Sequence, residues 1–213
     1  QVADPQLELE VDGALAIARV TPAGEDSPRY TAMKMGDVAV RMNAIASDTS
    51  SFNLDGTITV KQLDINKTTK KDPACNTETC ERYQRLDWDY TGTGEYLNPG
   101  AYLPTPTNLT IDFTSDMHYR VAGGVKGAAA DADAGIVQDQ LLSAGGVTLT
   151  GQAEFALSRW QRDIQTPEGT LFGATLDSVA LQVNNVGVQV ADPQLELEVD
   201  GALAIARVTP AGE

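Results

Sequence analysis

QVADPQLELEVDGALAIARVTPAGE fills residues 1–25, and the same letters return without a change at residues 189–213. Leu7, Leu9 and Val11 alternate with Gln6, Glu8, Glu10 and Asp12, after which Leu15 and Ile17 alternate with alanines up to Val20. Alternation of period two marks a half-buried β-strand. Between the two runs stands Asp12-Gly13, a strong signal for a tight turn, because such turns need positive φ at their centre. The expectation is a β-hairpin, present twice, that buries Leu7, Leu9, Val11, Leu15 and Ile17 in one copy and Leu195, Leu197, Val199, Leu203 and Ile205 in the other.

Outward from this segment the period stays close to two. Runs from Leu54 to Ile65 and from Leu176 to Val188 open with Asp-Gly and Asp-Ser pairs, and further strands are expected at Asp37–Ile45, Asn108–Phe113, Tyr119–Val125 and Gly146–Leu157. Long amphipathic helical patterns are missing, so the sheet is expected to be antiparallel. The stretch from Gly123 to Gly146 is read either as a brief helix at Ile136–Leu142 or as a crossover loop. From Lys67 to Pro106 the alternation gives way to Gly, Pro, Asn, Thr and aromatic residues, an excursion from the sheet. The fold class is thus mainly β, an antiparallel β-sandwich-like or otherwise β-rich body at 26–188, with residues 1–25 as a segment exchanged onto a neighbour and 189–213 as its repeat.

The chain has 213 residues and a formal charge of −15, with 15 basic against 30 acidic side chains. That charge repels phosphate backbones and anionic membranes, and no apolar run approaches the roughly 18 residues of a spanning helix. Nucleic acid and membrane insertion are not expected. Gln1 opens the chain without the basic and apolar regions of a leader, so the numbering is read as starting in a processed or trimmed chain. Cys75 and Cys80 enclose a short loop and are read as a disulfide, which favours an oxidising, secreted or cell-surface setting.

Candidate chemistry is sparse. His118, the single histidine, is read as a polar residue at a strand start, and neither a hydrolytic triad nor a zinc site is expected, nor any cofactor. Trp88, Tyr90, Tyr96 and Tyr102 form a candidate ligand loop, and Asp87, Asp89 and Glu95 among them are the residue types a glycosidase uses when two carboxylates flank a cleft. Asp131 and Asp133, with Asp139 beyond, are the weak candidates for calcium, since hard cations prefer clustered carboxylates, but their spacing departs from that of an EF-hand loop. Phosphate-cradling glycine motifs are absent from the sequence.

Identity over twenty-five positions, with no comparable identity inside residues 26–188, has three readings: one period of an identical-repeat polypeptide plus the start of the next, a neighbour's segment joined to this unit's end, or an accidental tail. A two-stranded hairpin is marginally stable alone, so each copy needs a surface to rest on. A segment that fits its own body and a neighbour's makes a head-to-tail contact, which propagates into filaments unless it closes. The arrangement resembles donor-strand complementation in pilins and related surface fibres, in which an N-terminal extension completes a neighbour's sheet. The resemblance covers residues 1–25 and 189–213. It implies an extracellular, non-enzymatic filament subunit whose partners are identical subunits; the alternative is a tandem-repeat adhesin or carbohydrate-binding module. Two features differ from the familiar donor: a hairpin is expected in place of a single strand, and no linker separates Val188 from Gln189.

Overall fold

The computed structural model describes residues 6–24, 27–45, 52–71, 83–89, 92–133, 136–144, 147–190 and 194–211, and for 6–9, 11, 42–45, 52–55, 144 and 195 the backbone alone. The chain forms β1 (Gln6–Val20), β2 (Tyr30–Ile45), β3 (Phe52–Thr68), β4 (Met117–Gly127), β5 (Gln140–Ala144), β6 (Val147–Thr166), β7 (Gly169–Val190) and β8 (Leu195–Thr209). All pairings are antiparallel, in one sheet ordered β1-β2-β3-β4-β6-β7-β8. Short β5 pairs with both β3 and β6, and so continues the lane that β4 leaves at Gly127. The mainly β, antiparallel expectation holds.

Three expectations are corrected. The duplicated segment is not a hairpin: each copy is one unbroken strand, and Asp12-Gly13 lies inside β1. In a two-residue hairpin Val11 would face Ala14, which puts Leu7, Leu9 and Val11 on one face and Leu15 and Ile17 on the other; a continuous strand keeps all the odd positions together. Residues 136–142 hold no helix, since Gln140–Ala144 is β5. Asn108–Phe113 is not a strand either, and only Ile111 makes a bridge, to Leu97.

Because residues directly opposite one another point to the same side of a sheet, the registers define its two faces. One row runs Leu15, Met35, Leu63, Val121, Leu157, Val179, Ile205. Its neighbours toward the β2–β3 turn continue the theme with Val38, Val60, Phe155, Leu181 and Leu203, then Val40, Ile58, Val125 and Val183. This is the apolar face. The other face carries small and polar residues, including Ala16, Lys34, Asp64, Arg120, Ser158, Ser178 and Ala206.

The buried core lies on part of that second face. After β3 the chain leaves the sheet, makes a short 3-10 turn at Pro99–Tyr102 and folds back, so that Trp88, Ile111 and Phe113 pack with Met117 on Ala18 of β1 and Ala32 of β2. Buried Asn66 ties the excursion down. Its Nδ2 donates to Leu86 O at 2.9 Å and Thr114 O at 3.1 Å, and its Oδ1 accepts from Trp88 Nε1 at 3.1 Å. Asp64, also buried, accepts from Arg120 Nη2 at 2.7 Å and Gln62 Nε2 at 2.7 Å. No described helix is long and apolar enough to cross a membrane.

Candidate assembly edges

The two copies of the duplicated strand are the two edges of the sheet. Five lanes of alternating direction lie between them, so β1 and β8 run the same way. The same side chains face the same side in both: Leu15 and Ile17 lie on the apolar face at 51% and 59% exposure, and their counterparts Leu203 and Ile205 lie there at 54% each. Since β2 lies on one flank of β1 and β7 on the opposite flank of β8, one sequence has docked twice through opposite edges. Leu7, Leu9, Val11 and Leu195 are placed by their backbone pairing, to Ala44, Met42, Val40 and Val190.

Asp-Gly, expected as a turn, is where both neighbours bulge. On the β2 side the register shifts between Asp12 and Ala14, where Asp37 of β2 takes a φ of 50°, and a Cβ on Gly13 would stand 2.5 Å from Val38 Cγ2 and 2.7 Å from its Cα. On the β7 side the shift lies between Val183 and Val186, where Asn185 takes a φ of 51° and donates its backbone N–H to Asp200 Oδ1 at 2.6 Å. The glycine therefore receives β2, and the aspartate receives β7. At Gly201 an added Cβ would meet nothing within 4 Å.

Behind the β7 bulge sits Asp139, buried, with a φ of 57°. Burial works against its charge, but hydrogen bonds from Gln152 at 2.8 Å, Gln138 at 2.9 Å and Asn185 at 3.4 Å, with Lys126 nearby, hold its carboxyl below the usual range. Asp139 thus orders the residue that β8 docks on. Local spacing does not mark this carboxylate for that role, since its partners Gln152 and Asn185 lie on other strands.

The other expected site residues lie elsewhere. Trp88 is part of the core, with its indole N–H committed to Asn66, and is closed to a ligand. Tyr96 and Tyr102 are exposed, while Tyr90, Cys75 and Cys80 lie outside the described residues. Asp89 accepts from Gly94 N at 2.8 Å, and Asp87 accepts from Asp89 N at 3.1 Å, so both serve the loop's own turns. Asp131 accepts from Asp133 N at 3.0 Å, and among the described residues no three His, Cys, Asp or Glu side chains are grouped to hold a metal. His118 is the second residue of β4. Burial first, then Arg85, Arg159 and Lys67, push it down to about 4, against the pull of Asp177.

Stepping once across the sheet from Leu15 ends at Ile205, the counterpart of Ile17, two residues further along the repeated strand. If a single copy of the segment joined β7 to β2 within one chain, the barrel would have six lanes and a shear of two. Its circumference of about 29 Å leaves a diameter near 9 Å, and its strands would tilt by only about 13°, whereas closed barrels tilt by roughly 35–45° and need about eight strands to hold their side chains. Self-closure has no room for either face. The fold is thus an open, single-layer antiparallel sheet whose ends match each other but not within one molecule. Comparison with known proteins finds no family model, no curated protein and no solved structure that matches the chain.

Proposed function

We propose that this protein is the structural subunit of an extracellular filament, joined head to tail through one shared strand. The supporting observation is that one sequence pairs with β2 through one flank and with β7 through the other. A single copy held between β7 of one unit and β2 of the next satisfies both flanks at once: Gly13 or Gly201 accepts Val38, and Asp12 or Asp200 accepts the Asn185 N–H. Simple abutment of β1 on β8 is disfavoured, because identical parallel strands set Glu8, Glu10 and Asp12 beside Glu196, Glu198 and Asp200, and like charges directly opposite destabilise a pair. Shared docking places Glu10 against Arg41, at 3.3 Å, on one side and Glu196 against Gln189, at 3.0 Å, on the other. With both copies present, the chain caps its own ends.

Opening one cap tests the reading. Gly13→Val in the full chain stops β1 from seating on β2 but leaves β8 and its Gly201 intact, so β8 of a neighbour fills the vacated edge and light scattering shows mass growing with concentration. Added peptide of sequence 1–25 should stop that growth and return the variant to the mass of the wild-type protein. Gly13→Val/Gly201→Val should not grow. Growth of the double variant equal to that of the single one, or a single variant that keeps the wild-type mass at every concentration and ignores the peptide, overturns the proposal.

A further inference from the structure

The apolar face has no cover among the described residues. Its rows pass without a charged side chain from β1 to β8, and along β7 they include Val179, Leu181, Val183, Val186 and Val188. Leu181, Leu203 and Leu197 stand 41%, 54% and 60% exposed. Monomeric proteins seldom leave a contiguous apolar surface of more than a few hundred Å² in water. Six lane spacings across and about eight residue steps along give a patch of about 29 Å by 26 Å, on the order of 750 Å².

We infer that this face is an interface between two copies of the chain, packed sheet against sheet into a two-layer sandwich. The size fits, because a stable complex buries roughly 800 Å² per partner. An apolar surface without charges is matched along its length by another of the same kind, and a two-fold axis lets one patch serve both partners. Facing sheets interdigitate about 10 Å apart with strands within about 30° of alignment. The rim is polar on one side: Arg159 pairs with Asp177 at 2.6 Å and 3.1 Å, in the same row as Tyr119 and Arg207. Hydrocarbon is the poorer occupant. An open sheet would carry the unpaired backbone of its edges into lipid, and a charge of −15 is repelled by anionic headgroups. The other face, with Lys34, Asp64, Arg120 and the packed excursion, stays in water.

Sheet pairing is independent of strand exchange, and the two fail separately. Sedimentation of the full chain should give a dimer at micromolar concentration. Leu181→Glu/Leu203→Glu changes two side chains that a lone chain already exposes, so it should leave the melting temperature of dilute protein unaltered while weakening the dimer by at least about 100-fold. Gln182→Glu, on the opposite face, serves as the control and should leave the dimer intact. Gly13→Val/Gly201→Val, which blocks strand exchange, should still pair. A monomeric wild type, a dimer that survives Leu181→Glu/Leu203→Glu, or flotation of the wild type with zwitterionic vesicles would each overturn the inference, the last in favour of lipid.

Discussion

Strands β1 and β8 have one sequence and two environments. Ala16 and Ala18 are 3% and 9% exposed beneath the excursion, while their counterparts Ala204 and Ala206 are open to solvent. On the opposite face the two strands are alike, with Leu15 and Leu203 at 51% and 54% exposure. The sequence of a strand thus sets which residues share a face, and the rest of the chain decides which face is covered. Alanines suit both settings: small enough to lie beneath Trp88 and Phe113, and harmless in water.

The sharpest way to break this comparison is a charge at the alanine that packs in the core cluster. Ala18→Asp places a carboxylate against the core, and a loss of about 3 kcal/mol is expected in chemical denaturation; Ala206→Asp should stay within about 0.5 kcal/mol. Next comes the glycine pair. Gly13→Val forces β2 to move and should cost about 2 kcal/mol, read as faster hydrogen exchange in β2, whereas Gly201→Val in a lone chain should be silent. A third test separates the edges by acid. The lowered His118 means that the unfolded chain takes up its proton first, so stability falls as pH drops from 6.5 toward about 4. His118 lies mid-sheet, and His118→Gln should flatten that slope for both edges. Asp139 has a depressed carboxyl that stabilises above the usual carboxylate range and loses this as pH falls through its folded value, so further acid should release β8 before β1. Smallest is Asp200→Ala, which frees the Asn185 N–H and should cost about 1 kcal/mol, seen as faster exchange along the β7–β8 pair.

Much of the sheet was legible from alternation alone. The β-rich class, the antiparallel order and the strands around Asp37–Ile45, Tyr119–Val125 and Leu176–Val188 all follow from period two. A local signal and a longer one compete at the repeated strand: Asp12-Gly13 is turn chemistry, but the odd positions from Leu7 to Ile17 stay in phase across it, as only a strand keeps them. The same glycine and aspartate serve bulges in the neighbouring strands, the glycine by leaving room for Val38 and the aspartate by accepting the Asn185 N–H. Trp88 was legible as aromatic but not as buried, because its cover comes from Asn66 and Phe113, twenty-two and twenty-five residues away. Asp139 was hidden for a similar reason, since Gln152 and Asn185 reach it across strands. The apolar face needed the registers, which no single strand reveals.

The two-residue slip from Leu15 to the counterpart of Ile17 also has a meaning at the scale of a micrograph. Units linked through the shared strand would advance by six lanes, about 29 Å, and step sideways by about 7 Å at every joint. The sidestep makes the strands lean from the perpendicular to the growth direction, always in one sense, and adds to the natural twist of the sheet. An axial spacing near 29 Å, crossed by strands at about 4.8 Å, is therefore the optical signature that this register writes into a fibre.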